Sequence, residues 1–353
     1  MPRCSALFNH ECIDIRGNRK PCCRFEDAAN NYNVSSTTIN EYLSSSYISQ
    51  IRKVMEDDWH PGCRKCKDEE MSNRTSLRQL YNLDHTFSNK IESIELSISN
   101  KCNLTCKMCS STYSSKWQEL NSSHNINDRN ITEFSVNDIF TEERDLSSLR
   151  MIKYLGGEPF ITPELETVFK ILDSKDILQN ITFMCSTNAT LFPKKYIKYL
   201  NKMKLLRINL SIDAIGELNS YIRPGKSWQH ILNVISEWKE YRDNNSNIEL
   251  GIFSTIQAYN IHDIKTLIGF SNTHNLQFRA ALLNWPVELS INALPKNYIS
   301  QVSDTYNLNY LKNYKYNSKY NAILIEKTKE LDNLFKHNIN NFIPLLAVEL
   351  GLQ

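Results

Sequence analysis

The feature that most constrains this chain is the stretch CNLTCKMC, in which Cys102, Cys106 and Cys109 follow an alternating apolar run, IESIELSIS. The alternation has the period of a β-strand, so the cysteines lie in a loop directly after a strand. A 4Fe–4S cluster binds one thiolate per iron, and three cysteines in a tight loop can bind three corners of one cluster. The fourth iron then stays open to a small molecule, and open positions are typical of catalytic rather than structural metal sites. The spacing therefore predicts a reactive iron–sulfur site at the end of a strand.

The composition is that of an ordinary globular protein, with 41% hydrophobic and 23% charged residues among 353. A net charge of +2 without a long basic run argues against a nucleic-acid partner. The first residues, MPRCSALFNHECID, lack the apolar core of a signal peptide, and the apolar run FIPLLAVEL is too short to span a membrane. We therefore expect a cytoplasmic protein with no membrane partner. Because disulfides are rare in the cytoplasm, the ten cysteines indicate metal or cluster binding.

Short β-rich runs alternate with helical stretches between Ile91 and about Pro286, which is the pattern of repeated βα units. The predicted strands are IESIELSIS, LRMIKYL, NITFMCST, LLRINLSI, IELGIFST and LQFRAALL. Six parallel strands predict an α/β fold, a (β/α)6 partial TIM barrel, with its active site at the carboxyl ends of the strands. We predict a cysteine-rich subdomain over residues 1–90, the barrel over 91–290 and a helical C-terminal tail over 291–353.

The regions on either side of the predicted barrel are expected to be helical. A capping box of Thr38 and Glu41 predicts one helix from Thr38 to about Met55, ended by WHPG and followed by the C-x2-C turn CRKC. A helix between cysteine ligands is typical of a small subdomain held together by metal. The tail contains an amphipathic helix in SKYNAILIEKTKELDNLFKHN, with the apolar residues Ile323, Leu324, Leu331, Leu334 and Phe335. A long polar insertion between Cys109 and Gly156, including NSSHNINDRN, is interpreted as a solvated loop or a lid.

At Cys102, Cys106 and Cys109 the sequence resembles the radical S-adenosylmethionine (radical SAM) enzymes, whose signature is this spacing after the first strand of a (β/α)6 partial barrel. The resemblance implies that the open iron binds the amino and carboxylate groups of S-adenosylmethionine (SAM). Reductive cleavage of SAM would then give a 5′-deoxyadenosyl radical that abstracts hydrogen from a substrate. Met108 stands where the family usually has an aromatic residue near the adenine, and methionine is apolar and adaptable enough to replace it.

Other segments match the family's SAM-binding positions at the predicted strand ends. The second strand runs into Gly156, Gly157, Glu158 and Pro159, which resemble the family's GGE motif for the SAM amino group. Two glycines allow the backbone to approach a ligand closely, although a glycine pair can also simply make a turn. The segment Ser186-Thr187-Asn188 resembles the family's T-N-G segment, with Ala189 in place of glycine. Asn188 could therefore contact the ribose or cap the next helix.

The fourth predicted strand ends at Ser211, and Arg223 follows in IRPG. In related enzymes a serine and a later arginine at these positions contact the SAM carboxylate, which the planar guanidinium of arginine matches well. Asp213 is a catalytic candidate that could be a ligand contact, a proton acceptor or a buried structural acid. Asn260, after the fifth strand, is a candidate for ligand contact or for helix capping. Cys185, inside the third strand, is either a small buried apolar residue or a radical relay.

The N-terminal cysteines resemble the auxiliary-cluster signature of SPASM/twitch enzymes, and their position before the barrel resembles the N-terminal-twitch radical SAM group. The resemblance implies four ligands of a second 4Fe–4S cluster: Cys4, Cys22, Cys63 and Cys66. Cys12 and Cys23 are alternative ligands, and a four-cysteine zinc site is the alternative to iron–sulfur, since tetrahedral sulfur ligation suits both. With four protein ligands, the auxiliary cluster would accept an electron from the substrate radical and would not bind substrate.

We therefore predict a radical SAM oxidoreductase or modifying enzyme that contains two 4Fe–4S clusters, with a peptide or protein as the favoured substrate. Dehydrogenation of a sugar or aminocyclitol is the alternative reaction. A zinc-binding interaction protein and an electron-transfer protein that never cleaves SAM are the alternatives from other classes. The resemblance also implies an electron donor such as a flavodoxin or ferredoxin.

Overall fold

The computed structural model describes residues 1–84, 87–124 and 134–353. Its strands are β1 His10–Ile13, β2 Arg19–Lys20, β3 Ser93–Ser97, β4 Met151–Leu155, β5 Thr182–Thr187, β6 Leu205–Leu210, β7 Ile248–Ile256 and β8 Gln277–Leu282. Its α-helices are α1 Ala6–Asn9, α2 Ile39–Ser44, α3 Ser46–Asp57, α4 Arg64–Met71, α5 Leu77–Asp84, α6 Ser115–Ser123, α7 Val136–Ile139, α8 Pro163–Ser174, α9 Ile197–Leu200, α10 Glu217–Ile222, α11 Trp228–Asp243, α12 Ile264–Thr273, α13 Lys296–Val302, α14 Thr305–Leu311, α15 Ser318–Phe335 and α16 Pro344–Leu350. Short 3₁₀ helices cover Pro61–Cys63, Pro159–Ile161, Leu178–Asn180, Lys194–Tyr196, Ile261–Asp263, Val287–Leu289, Ile291–Ala293 and Ile339–Asn341.

The predicted α/β class is confirmed, and each of the six predicted strands is present as β3 to β8. Helices lie between successive strands of this series, as βα units require. The predicted cysteine-rich N-terminus and helical C-terminal region are also present. The division into 1–90, 91–290 and 291–353 stays a prediction. Among the described residues, no helix is both long enough and apolar enough to cross a membrane.

The chain forms two compact units, of which the first comprises Met1–Lys101, Ile126–Cys185 and Lys195–Leu206. Its strand order is β2-β1-β3-β4-β5, in which β1, β3, β4 and β5 are parallel and β2 is antiparallel to β1. Sequence analysis did not predict β1 or β2. His10 in β1 is paired with Ser93 in β3, so the beginning of the chain is a strand of the sheet. Helix α8 packs on this sheet, where the Phe169 ring meets the Phe183 ring edge-on at 5.1 Å.

A buried ion cluster fixes β1 and β2 within the first unit. Glu11 in β1 is fully buried; its Oε2 accepts a hydrogen bond from Arg144 at 2.6 Å, and its Oε1 is paired with Arg19 in β2. Both guanidiniums are also buried and donate to backbone carbonyls, Arg19 to Thr37 and Arg144 to Ile139. Burial lowers the pKa of each arginine to about 10. Glu11 is therefore the shared counter-ion of two desolvated cations.

The second unit comprises Cys102–Asn125, Ser186–Lys194 and Arg207–Gln353, with the strand order β6-β7-β8. Strands β7 and β8 are parallel, from Gly251 opposite Gln277 to Ile256 opposite Leu282. The C-terminal helices contribute to an apolar core that includes Leu324 of α15, and Leu331 of the same helix is buried too. The predicted amphipathic helix is thus confirmed, except that Ile323 is 48% exposed and lies outside its apolar face.

The predicted helix after Thr38 is two helices. The capping box is present, because the Thr38 side chain accepts from the Glu41 backbone and Glu41 accepts from the Thr38 backbone. The helix nevertheless ends at Ser44, since Ser45 is extended and its hydroxyl accepts from Ile48 as the N-cap of α3. The C-x2-C segment differs too: α4 begins at Arg64, so CRKC enters a helix and does not form a turn. The polar insertion lies partly outside the described residues, since positions 125–133 fall within it.

Candidate active site

The three-cysteine loop is held in place through its own backbone. The Cys109 amide donates to the Cys106 carbonyl at 2.9 Å, and the Lys107 amide donates to the Ile222 carbonyl at 2.9 Å. The indole Nε1 of Trp117 donates to the Cys106 carbonyl at 2.9 Å. Cys106 is buried, whereas Cys102 and Cys109 are half-buried. Burial raises the pKa of Cys106 to about 12 and that of Cys109 to about 11, so a bound metal would be needed to stabilise these thiolates.

Arg223 places a positive charge beside the buried thiol. Its Nη1 is 3.7 Å from Cys106 Sγ, and its Nε is 2.7 Å from Asp213 Oδ2. Burial alone would lower the pKa of Arg223, but the charges of Asp213 and Cys106 raise it above the ordinary value. The guanidinium is therefore a fixed cation, as binding a carboxylate or an anionic cluster requires.

Asp213 is fully buried and its oxygens are already engaged by the protein. Besides Arg223, it accepts from the Thr255 amide at 2.8 Å and the Ser254 hydroxyl at 3.4 Å. Asn260 donates to the Asp213 carbonyl at 2.9 Å and does not cap a helix through its side chain. Of the three predicted roles, these contacts favour a buried acid that positions Arg223.

Asn188 lies next to the first cysteine. Its Nδ2 is 4.0 Å from Cys102 Sγ and donates to Asn103 Oδ1 at 2.8 Å. Ala189 has a φ of +56°, which explains why a glycine suits this position in the T-N-G segment. The Ser211 amide donates to the Thr187 carbonyl at 2.8 Å, so Ser211 lies beside the residue that precedes Asn188. Met108 is half-buried against the apolar core of the second unit.

The glycine pair lies in the first unit, against the backbone that leads into Cys102. The Gly157 amide donates to the Ser99 carbonyl at 3.0 Å, and the Glu158 amide donates to the Lys101 carbonyl at 2.8 Å. A Cβ on Gly156 would lie 2.4 Å from the Ser99 carbonyl oxygen, and Gly156 has a φ of +113°. Glu158 is fully buried, and its carboxylate accepts from the Phe160 amide at 3.2 Å. Both glycines are therefore required by close backbone contact.

Gly157→Ala should lower SAM cleavage about 100-fold, because its Cβ would lie 2.2 Å from the Lys101 carbonyl oxygen and would displace the chain entering Cys102. The matched control is Gly269→Ala, in the interior of α12, where a Cβ meets no atom within 4 Å. That control should keep full activity and gain up to about 1 kcal/mol of stability from helix propensity. Formation of 5′-deoxyadenosine and the unfolding midpoint measure both effects. Equal activity of the two variants would contradict this role of Gly157.

A small cavity in the first unit is lined by residues that include four cysteines and two arginines. The cysteines are Cys4, Cys22, Cys63 and Cys66, and the arginines are Arg24 and Arg78. Arg24 is paired with Glu69 and Arg78 with Glu70, each at 2.6 Å. Burial raises the pKa of Cys4 to about 11 and that of Cys63 to about 12, so neutral thiols are favoured until a metal binds. The four predicted ligands thus share one cavity with cationic side chains.

The two alternative ligands, Cys12 and Cys23, do not line this cavity. Cys12 Sγ is 4.0 Å from Glu95 Oε1, and Glu95 is paired with Lys153 at 2.9 Å. Burial and the Glu95 carboxylate raise the pKa of Cys23 to about 11. Cys185 is buried in β5, and burial raises its pKa well above the ordinary value.

Neither the three-cysteine loop nor the group of four N-terminal cysteines has its side chains arranged as the ligands of a single metal ion. Across residues 1–84, 87–124 and 134–353, no three Cys, His, Asp or Glu side chains converge as the ligands of one metal ion. A zinc site and an iron–sulfur cluster differ in how far apart their sulfur ligands lie. Four sulfurs around one zinc ion lie about 3.8 Å apart, given Zn–S bonds of about 2.3 Å. In a cluster each thiolate binds a different iron.

Residues 96–265 match the family model described as the radical SAM superfamily. The chain therefore carries a radical SAM domain. This domain begins in β3, contains the three-cysteine loop, the glycine pair and Arg223, and ends in α12. The superfamily consists of enzymes, which confirms the predicted class.

Curated relatives share this domain. The chain is 27% identical over 262 residues to the radical SAM cyclopropyl synthase TigE of Paramaledivibacter caminithermalis, covering 69% of this chain and 52% of that protein. It is 22% identical over 189 residues to a GTP 3′,8-cyclase of Campylobacter curvus, covering 54% of each. The chain thus spans about half the length of the curated relatives it matches. Among solved structures, anSMEcpe with bound AdoMet matches 67% of this chain and 66% of its own, at 20% identity and a TM-score of 0.44.

Sequence analysis missed residues that hold the radical SAM domain's cysteine loop. Trp117 donates to the loop from α6, and Lys107, within the loop, is paired with Asp332; an isolated tryptophan or lysine carries no motif. Arg24 and Arg78 were missed for the same reason, although both stand close to predicted cysteine ligands in sequence. A cation near a cysteine cluster is the signal that could have indicated them.

Proposed function

We propose that this protein is a radical SAM enzyme that cleaves SAM reductively and abstracts hydrogen from its substrate. The observation that carries the proposal is the loop of Cys102, Cys106 and Cys109 with Arg223 fixed 3.7 Å from Cys106 Sγ. Three thiols suit three irons and leave one position for SAM. A 4Fe–4S cluster bound there supplies the electron that cleaves SAM.

The protein's own residues would bind and orient SAM. Arg223, held by Asp213, offers a planar cation to the SAM carboxylate. Gly156, Gly157, Glu158 and Pro159 would receive the SAM amino group, with Glu158 as its buried acceptor. Asn188 and Ser211 would contact the ribose and the carboxylate, and Met108 would pack against the adenine.

We infer that Cys4, Cys22, Cys63 and Cys66 hold an auxiliary 4Fe–4S cluster of the N-terminal-twitch type. Their common cavity supports this assignment, and Arg24 and Arg78 would offset the charge of four thiolates. With four protein ligands such a cluster would have no open iron, so Cys4, Cys22, Cys63 and Cys66 would hold it as an electron acceptor and not as a substrate-binding site. The electron donor for SAM cleavage would be a flavodoxin or ferredoxin in the cytoplasm.

The proposed substrate is a peptide or protein that undergoes oxidative modification. The helical C-terminal region is a segment available to bind an extended chain, and the polar insertion that the sequence also suggests lies partly outside the described residues. A small molecule, such as a sugar-like metabolite, is the second candidate, favoured by the matches to GTP 3′,8-cyclases. Incubation with peptides encoded beside the gene and with GTP, followed by mass spectrometry, distinguishes the peptide substrate from the small-molecule substrate. A loss of two hydrogens from a peptide supports the peptide substrate.

The function is tested by anaerobic reconstitution, iron and sulfide analysis, and an assay for 5′-deoxyadenosine with SAM and dithionite. Two clusters correspond to about eight irons per chain. We expect that iron content together with SAM cleavage. A protein with full iron content that forms no 5′-deoxyadenosine, with or without candidate substrates, would contradict the proposal.

Cys63→Ala should lower the iron content by about four per chain and keep SAM cleavage, because Cys63 lines the auxiliary cavity and lies outside the three-cysteine loop. Cys23→Ala is the matched control, since Cys23 lies beside Glu95 and should leave the iron content unchanged. Metal analysis that finds zinc in place of the lost iron would overturn the auxiliary cluster. Loss of iron in Cys23→Ala would instead indicate that Cys23 is a ligand of the cluster.

A further inference from the structure

The three-cysteine loop contains a buried ammonium group. Lys107 follows Cys106 directly, and its side chain is fully buried. Its Nζ lies 3.0 Å from Asp332 Oδ1 in α15, and Asp332 is itself 12% exposed. A buried lysine needs a counter-ion, and the one used here comes from the C-terminal region 225 residues later.

Aromatic rings surround the same ammonium. Nζ lies 3.0 Å from the ring centroid of Tyr221 and 5.6 Å from that of Tyr259. Both distances are within the range of cation–π interaction, which is stronger where water is excluded. Lys107 is therefore held from more than one side, as a fixed anchor of the loop.

Asp332 is held in turn by the end of α15. Its Oδ2 accepts from the Ile339 amide at 2.6 Å, and its carbonyl accepts from the His337 amide at 2.8 Å. The chain reverses there, because Lys336 has a left-handed backbone at the C-cap. Side-chain and backbone contacts thus fix the position of the Asp332 carboxylate.

The last turn of α15 also supports Cys106, the residue before Lys107, through the side chain of Trp117. The Trp117 indole, which donates to the Cys106 carbonyl, meets the Phe335 ring edge-on at a centroid distance of 5.8 Å. Phe335 is the last residue of α15, three positions after Asp332. The last turn of α15 therefore supports both Cys106 and Lys107.

We propose that Lys107 and Asp332 are positioning residues for the three-cysteine site, and that α15 is thereby a working part of that site. The inference rests on the proposed function, since it concerns the thiols that would hold the SAM-binding cluster. Sites of this kind must be held to within about 0.5 Å by surrounding packing and hydrogen bonds. The Lys107–Asp332 pair supplies such support directly beside Cys106, which Arg223 also contacts.

The test compares Lys107→Met, which keeps chain length and removes the charge, with Glu330→Gln on the same helix. Glu330 forms an exposed ion pair with Lys327, so this control should behave as wild type. Lys107→Met should lower SAM cleavage about 100-fold and lose the SAM-induced change in the EPR spectrum of the reduced cluster. The auxiliary iron, about four per chain, should remain.

A second readout does not depend on any cluster. In the cluster-free full-length protein, alkylation of Cys106 by iodoacetamide, followed by mass spectrometry, should be about tenfold faster in Lys107→Met because the loop opens more often. Loss of a nearby cation alone would slow the reaction, since it disfavours the thiolate. Faster alkylation therefore reports loosening of the loop.

The outcomes are distinct. Wild-type EPR response and wild-type Cys106 alkylation in Lys107→Met would overturn the inference. If Lys107→Met does not fold, Lys107→Met with Asp332→Leu removes both buried charges, and the same two readouts decide. If wild-type protein itself never cleaves SAM, the proposed function fails, while the alkylation comparison still decides whether Lys107 positions the loop.

Discussion

Cys106→Ala should form no detectable 5′-deoxyadenosine and should contain about four irons fewer than the wild type. Cys106 is the buried thiol of its loop, its carbonyl is held by Trp117, and its sulfur lies beside Arg223. Loss of this ligand would remove one of the three thiolates proposed to hold the cluster, whereas Arg223 would keep its ion pair with Asp213. Iron analysis and chromatography of the SAM products measure both effects.

The matched control for this result is Cys185→Ala, which also removes a buried thiol. Cys185 lies within β5, so its replacement should lower stability by a cavity effect of about 1 kcal/mol and leave the iron content unchanged. If Cys106→Ala cleaves SAM at the wild-type rate, the three-cysteine loop is not the site of the chemistry. If Cys185→Ala alone abolishes cleavage, the radical-relay alternative for Cys185 is favoured.

Glu11→Gln should destabilise the protein by about 3–5 kcal/mol, because it leaves two buried guanidiniums without their counter-ion. Glu11 is fully buried and contacts both Arg19 and Arg144. Glutamine keeps the shape of the side chain, so the loss is of charge and not of packing. The midpoint of urea unfolding of the cluster-free protein measures the change.

Asp173→Asn is the control for the ion cluster, since Asp173 forms an ion pair with Lys202 on the surface of the same unit. Exposed pairs contribute little, so this variant should stay within about 0.5 kcal/mol of the wild type. Equal unfolding midpoints for the two variants would show that Glu11 is not the shared counter-ion that its contacts indicate.

The strands that were predicted are those in which apolar residues recur regularly, even where a buried polar residue such as Glu95 of β3 lies among them. β3 to β8 carry alternating or continuous apolar runs, which a single sequence reveals. β1, with the sequence HECI, was missed because its buried positions include the polar residues His10 and Glu11. Their burial is made possible by partners that are distant in sequence, Ser93 for His10 and Arg144 for Glu11. Local periodicity does not contain that information.

The same limit applies to the candidate site. Cysteine spacing and the glycine pair have local signatures, so they were found, and Asp213 and Arg223 were found as separate candidates. Their ion pair at 2.7 Å was not predicted, because neither residue's sequence neighbourhood specifies its partner. The division of the helix after Thr38 was missed for a different reason: Ser45 acts as a cap only when its backbone is extended, and helical spacing of apolar residues continues across it.

The parallel pairing of β1 with β3 bears on how the protein is made. His10 is paired with Ser93, so more than eighty residues must be synthesised after β1 before its parallel neighbour β3 exists. At ribosomal rates of about 5–20 residues per second, this delay is roughly 4–17 s. During that time β1 has only the two-residue strand β2 as a possible partner, and its other edge has free backbone donors and acceptors, open to chaperones and to wrong partners. The position of Cys12, which lies in β1, is therefore fixed in the sheet only after β3 has been made.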